Sequence, residues 1–218
     1  MAKDEHPEDT LIEEVVNTLT HGVGAVLSMV GLGVLIWLAA TNGGAAVIAS
    51  AVVYGAALVI LYLSSTLYHG TWHGGAKRIL LAVDHCAIFL LIAGTYTPIA
   101  MLTMPLSFGL PLVLAVWLLA LVGIVLRLCV GRLFDRISTM LYLAIGWLGI
   151  VWAGPLVKGL GAGGSLLLLA GGLSYTAGVP FYAWRRLRFN HAIWHVFVLT
   201  GSALHFFAIA LYVLPAVA

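Results

Sequence analysis

Three histidines and one aspartate have the residue types and the spacing for metal-assisted acid–base chemistry inside a membrane. Asp84 is the only carboxylate within an apolar stretch, because Asp4, Glu5, Glu8, Asp9, Glu13 and Glu14 fall in the first fourteen positions and Asp135 lies in a basic loop. An ionisable group at membrane depth is unfavourable enough to mark a functional site wherever a partner can be named. His69, His191 and His195 supply the partners. His191 and His195 stand four apart, one turn along a single helical face, which lets two imidazoles reach one metal ion. A third histidine from another helix would complete the arrangement of catalytic zinc, three protein ligands plus a water whose pKa falls to about 7. Asp84 could then orient that water or accept its proton. The competing reading is two interfacial histidines on an ordinary helix, and the shared depth with His69 and Asp84 favours the metal.

The remaining histidines are weighed against the same geometry. His73 is four residues from His69 and so a rival ligand, but Gly70, Gly74 and Gly75 point to a frayed end that leaves His73 in a loop. His85 follows Asp84 and must point roughly 100° away on a helix, towards a packing or hydrogen-bonding role. His205 lies ten residues beyond His195, about 15 Å deeper along the axis, and reads as a satisfied histidine within the bundle. His6 sits in the acidic tail and is assigned no role.

The elements that must position these groups follow from composition. Hydrophobic residues make up 62% of the 218-residue chain and charged residues 8%, against roughly 25% charged in an average soluble domain. This is the composition of an integral membrane protein, all-α, with no separate soluble domain. Apolar runs predict seven transmembrane helices near 21–40, 45–68, 79–101, 106–129, 138–157, 163–184 and 192–213, with a glycine-rich connection over 159–164. Residues 1–20 form a tail and an interfacial helix, in which Leu11, Ile12, Val15, Val16 and Leu19 share one face. Residues 21–213 form a single seven-helix domain. The first apolar run lacks a basic leader and is followed by further spans, so the N-terminus is expected to remain in the mature protein. With seven spans, Lys3, Lys77, Arg78, Arg127, Arg132, Arg136, Arg185, Arg186 and Arg188 fall on the N-terminal side and only Lys158 opposite. That bias predicts a cytoplasmic N-terminus and an outside C-terminus, with His69, Asp84, His191 and His195 near the cytoplasmic face. The basic residues serve topology and lipid headgroups, so a nucleic-acid partner is excluded. Cys86 and Cys129 fall in predicted spans and read as reduced thiols. Pro98, Pro155 and Pro180 lie in or near spans as ordinary kinks, and no function is assigned to them.

Four runs, in order, carry a resemblance. Glu14-Val-Val-Asn17-Thr-Leu-Thr20-His21-Gly22, Ser65-Thr-Leu-Tyr68-His69, Asp84-His85 followed by Gly94-Thr95-Tyr96-Thr97-Pro98, and His191-Ala-Ile-Trp194-His195 resemble the hemolysin III family. That family is the bacterial branch of the progestin and adipoQ receptor superfamily. The resemblance covers about residues 10 to 213 and implies seven helices, a cytoplasmic N-terminus and a multi-pass location in the bacterial inner membrane. It implies zinc held by His69, His191 and His195, with Asp84 contacting it through water. It also brings in Ser65, which lies on the face of His69 by helical spacing and could bond near the metal or donate to an oxyanion. Glu14, Asn17 and His21 match the first motif and could support the metal-bearing helices at the entrance, as could Tyr68 and His85.

For activity, the superfamily's similarity to alkaline ceramidases implies zinc-dependent hydrolysis of a lipid amide or ester in membrane lipid homeostasis. Membrane lipids are the expected substrate or ligand, no soluble protein partner is evident, and homo-oligomerisation is left open. The alternative is a non-enzymatic regulator of membrane fluidity or energetics with a structural zinc. An ion or proton conductor built on Asp84, His21, His85 and His205, or a cytolysin-like protein, is weaker, because no continuous charged ladder crosses the outer half. An open coordination position supports hydrolysis and a fourth protein ligand supports a structural site.

Overall fold

The computed structural model describes residues 10–215, which form helices and short connections with no strand among them. Lys3, Asp4, Glu5, His6, Glu8 and Asp9 lie outside the described residues, as do the side chains of Arg132, Asp135 and Arg136. Helix α1 spans Leu11–Asn42 and opens on a capping box: Glu13 N–H donates to Thr10 Oγ1 at 3.3 Å, and Thr10 N–H donates to Glu13 Oε2 at 2.9 Å. The expected interfacial helix and first span are therefore one continuous helix of 32 residues, since no proline interrupts it.

Helices α2 (Ala45–Gly70), α3 (Gly74–Thr103), α4 (Leu106–Val130) and α7 (Asn190–Ala208) follow the apolar runs. The stretch between α4 and α7 does not follow the expectation. Six helices, not seven, are long and apolar enough to cross a membrane among the described residues, and Ile137–Ala183 forms one such stretch of 47 residues. Within it α5 (Arg132–Gly146) has 15 residues, about 22 Å at 1.5 Å per residue, short of the roughly 30 Å hydrocarbon core. A 3-10 turn over Leu148–Trp152 leads into α6 (Ala153–Ala183). The span expected at 138–157 thus falls across the end of α5, the turn and the start of α6.

A tertiary hydrogen bond is the reason. Tyr96 of α3 donates its hydroxyl to the Gly146 carbonyl at 2.7 Å and accepts the Gly149 N–H at 2.7 Å, which pins the turn there. Over the glycines at 159–164, where a connection is expected, Gly161 leaves helical geometry (φ 66°, ψ −179°), so that α6 is two helices meeting across a kink. The glycines beside it serve close packing: a Cβ on Gly159 would stand 1.9 Å from the Thr103 carbonyl oxygen, and one on Gly163 or Gly164 would meet Tyr212.

α1 packs against α2 and α7, α2 against α3, α3 against α4, and α6 against α7. One apolar core joins α1, α2, α7 and a terminal π turn (Ile209–Val213) through Leu35, Tyr54, Leu58, Val198 and Ile209. A second joins α3, α4 and α5 through Phe89, Leu112, Val116 and Phe134. Large apolar side chains such as Val26, Val30, Leu114, Leu118 and Leu121 face outward, as lipid-facing residues do. The C-terminal end of α2 and the N-terminal ends of α1, α3 and α7 converge at one end of the bundle, and the histidines are there.

Candidate metal centre

His69 is the penultimate residue of α2, and His191 and His195 occupy the first two turns of α7. One nitrogen of each lies within 4.8 Å of the others, a group that could hold a metal ion. The ring centroids are 4.8 Å (His69–His191), 5.1 Å (His69–His195) and 4.5 Å (His191–His195) apart, with interplanar angles of 57°, 72° and 71°. Rings turned edge to face aim their nitrogens inward rather than stacking. His69 and His195 are only 2% and 1% exposed.

The His69 and His195 rings are fixed from outside. His69 Nδ1 donates to Glu14 Oε2 at 2.6 Å, and Glu14 Oε1 accepts from Lys77 Nζ at 2.5 Å. His195 Nδ1 lies 3.0 Å from Thr20 Oγ1, whose own proton goes to the carbonyl of Val16 or Asn17, both at 2.9 Å. The Thr20 oxygen is therefore left to accept from His195. A proton on Nδ1 leaves Nε2 as a lone-pair donor, the usual way ligating histidines are oriented. His69 Nε2 is buried with no hydrogen-bond partner, a situation that disfavours folding by about 1–3 kcal/mol unless something else binds there. The residues therefore fit a metal ion, and three imidazoles suit a divalent transition metal.

Asp84 stands nearly three turns into α3, because that helix begins at Gly74, before the expected position 79. It is buried beside the three-histidine group rather than in it, within reach of the Ser65 hydroxyl and close to His69. Ser65 Oγ lies 2.7 Å from His21 Nδ1, so Ser65 bridges α1 and α3 from its place on α2. His21 stacks on His195 at 3.4 Å and 14°, face to face, with its Nε2 buried and unpartnered. That stacking keeps His21 out of the ligand group. A Cβ on Gly24 would meet the Tyr62 ring at 2.5 Å, and the bare glycine lets α1 approach α2 closely, with Tyr62 edge-on to His21 at 5.0 Å.

The other expected residues divide. Tyr68 packs its ring on His69 at 4.6 Å, and Asn17 is 1% exposed with both side-chain polar atoms unpartnered. His85 faces α4 and α5 instead: its Nδ1 accepts from Arg127 Nε at 3.3 Å and its carbonyl accepts from Tyr142 at 3.0 Å. His73 is exposed at the N-cap of α3, and His205 Nε2 lies 3.1 Å from the Leu168 carbonyl oxygen, deep in α7. Cys86 and Cys129 form no disulfide. Sequence reasoning missed Thr20, Lys77 and Glu13. Thr20 touches His195 itself, Lys77 touches Glu14 behind His69, and Glu13 Oε1 accepts the Phe189 N–H at 3.1 Å, at the head of α7. Thr20 adjoins His21 within the first motif, the one signal that could have drawn attention to it; Lys77 read as topology and Glu13 as one of the acidic residues of the first fourteen positions.

Comparison with known proteins bears on the same residues. The profile described as Haemolysin-III related matches residues 10–206, which contain every residue of this cluster. The chain belongs to the haemolysin III family. It is 45% identical over 203 residues to Hemolysin-3 of Bacillus cereus, covering 93% of each chain. It is also 45% identical over 203 residues to the Hemolysin-3 homolog of Bacillus subtilis, covering 93% of this chain and 95% of the relative. Monocyte to macrophage differentiation factor of Homo sapiens is 29% identical over 215 residues, 92% of this chain and 84% of the relative. That reach agrees with the progestin and adipoQ receptor superfamily. The chain is a multi-span membrane protein of the haemolysin III family.

Proposed function

We propose that this haemolysin III protein binds one zinc ion between His69, His191 and His195 and hydrolyses an amide or ester bond in a membrane lipid, in the service of lipid homeostasis. The observation that carries the reading is the donor count: among the described residues the metal-binding group has three members and no fourth imidazole, thiol or carboxylate. Three protein donors leave a position for a reacting molecule, whereas a structural zinc takes four. The His21 ring is stacked face to face on His195 with Nδ1 committed to Ser65.

Zinc, when bound, would supply a Lewis acid for the lipid carbonyl and lower the pKa of a water to about 7. The chain's own residues supply the rest. Glu14 and Thr20 hold the His69 and His195 rings in the donor tautomer. The Asp84 carboxylate accepts a proton from the attacking water and returns it to the leaving amine or alcohol, so that the products are a carboxylic acid and the freed head. The Ser65 hydroxyl donates to the oxygen on which negative charge develops. Packed helices around the site exclude bulk water, and the substrate enters sideways from the bilayer.

The location proposed is the bacterial inner membrane with the site at the cytoplasmic face. Lys77 and Arg78 lie near the start of α3, Arg127 near the end of α4, and Arg185, Arg186 and Arg188 just before α7, and this clustering near the histidine-bearing ends supports that orientation.

The test is release of fatty acid from lipid amides and esters in mixed micelles by the zinc-loaded protein, followed by mass spectrometry. Loss of the proton acceptor in Asp84→Asn should lower the rate by at least about 100-fold, and Ser65→Ala by about 100-fold. Absence of release from every amide and ester by metal-loaded protein would contradict hydrolysis and leave zinc as a tie between helices in a membrane regulator.

A further inference from the structure

Glu13 stands outside the metal-ligand set, yet its side chain is bonded to the N-cap of α7, the helix that carries two of the three ligands. Its Oε1 accepts the backbone N–H of Phe189 at 3.1 Å, while its Oε2 accepts the Thr10 N–H and hydroxyl, both at 2.9 Å. Phe189 is the N-cap of α7 and, among the described residues, the only non-glycine with positive φ (φ 57°, ψ 22°). A bulky residue holds that left-handed conformation only where its surroundings enforce it. Those surroundings are the Glu13 carboxylate on its N–H, the Arg188 guanidinium 4.8 Å over its ring, and its carbonyl accepting the Ile193 N–H at 2.9 Å. His191 follows two residues later. The φ of Phe189 sets the direction in which α7 leaves the preceding turn, and with it the placement of His191 against His69 on α2.

We infer that Glu13 is a positioning residue for the metal centre: it clamps the left-handed Phe189 and so aims the first turn of α7, bringing His191 into range of His69 and His195. The inference rests on the three-histidine metal reading and adds to it the device that registers α7 on α1. Glu14, the next residue, does the corresponding work for α2 and α3 through His69 and Lys77. The capped first turn of α1 thus gathers all three ligand-bearing and acid-bearing helices.

The probe is cobalt(II) added to the metal-stripped full-length protein in mild detergent, read by its d–d absorption band and by chelator competition. Glu13→Ala should weaken cobalt binding about tenfold, the low end for residues that orient a metal's ligands. Glu13→Gln keeps a side-chain oxygen for the Phe189 N–H and should bind like wild type. Thr10→Ala removes the hydroxyl cap of α1 without touching the Phe189 bond and should also bind like wild type. Phe189→Gly, which takes a positive φ without steric strain, should restore most of the affinity lost in Glu13→Ala. Equal affinity in wild type and Glu13→Ala, a Thr10→Ala loss as large as that of Glu13→Ala, or failure of the glycine to rescue would each overturn the clamp. Should Glu13→Ala not fold, a Glu13→Gln protein that folds but loses the cobalt band would overturn it as well. A wild-type protein without the band would overturn the metal reading itself and the inference with it.

Discussion

Glu14 shows how much of this centre depends on single polar contacts. Its two carboxylate oxygens are divided between His69 Nδ1 and Lys77 Nζ, at 2.6 and 2.5 Å, so a ligand ring, a buried carboxylate and an interfacial cation form one chain. A carboxylate behind a ligating histidine fixes its tautomer and raises its basicity, and removal typically lowers metal affinity by about 10–100-fold. Glu14→Gln should therefore weaken zinc binding by a factor in that range while leaving the helical content measured by circular dichroism unchanged; undiminished affinity by competition with a chelator would show that the ring is oriented otherwise. The histidines and Asp84 could be singled out from type, spacing and depth alone. Thr20, Lys77 and Glu13 could not, because each meets its partner across a helix interface whose rotation is set by packing, and on sequence a threonine in a span, a lysine at its edge and a glutamate in an acidic tail look ordinary.

At the scale of elements, hydropathy located α1 to α4 and α7, since an apolar run of more than twenty residues has few alternatives. It misplaced the break between α5 and α6. Apolar residues continue through 143–157, where Gly146, Gly149, Gly154 and Pro155 offer several places to end a helix and none stands out, while Gly159, Gly163 and Gly164 are packing positions against α3 and the terminal turn and Gly161 is a kink. What ends α5 at Gly146 is the Tyr96 hydroxyl, reaching from α3 to the Gly146 carbonyl and the Gly149 N–H. Tyr96→Phe leaves both backbone groups without that partner, and each unsatisfied group disfavours folding by about 1–3 kcal/mol. The apparent melting temperature in detergent should fall for Tyr96→Phe, while bound metal per chain stays at the wild-type level, because the turn lies near the opposite end of the bundle from the histidines. An unchanged melting temperature would mean that the turn is held by packing alone.

For the molecule as a whole, the bundle's ends differ in kind. One end gathers the buried Glu14, His21, Ser65, His69, Asp84 and His195 and the partly buried His191 from four helices into a polar cluster, while the outward faces of the same helices are apolar. Keeping so many polar groups away from water is unfavourable without partners, and an ion drawing the three imidazoles together would supply the partner that the buried His69 Nε2 lacks. That central claim is tested most directly by counting metal in protein purified in mild detergent, by mass spectrometry, for wild type and the His69→Ala and His191→Ala variants. A site with three protein ligands predicts about one zinc per chain in wild type and its loss in both variants. No stoichiometric metal in wild type, or metal retained when either histidine is removed, would contradict a three-histidine metal centre.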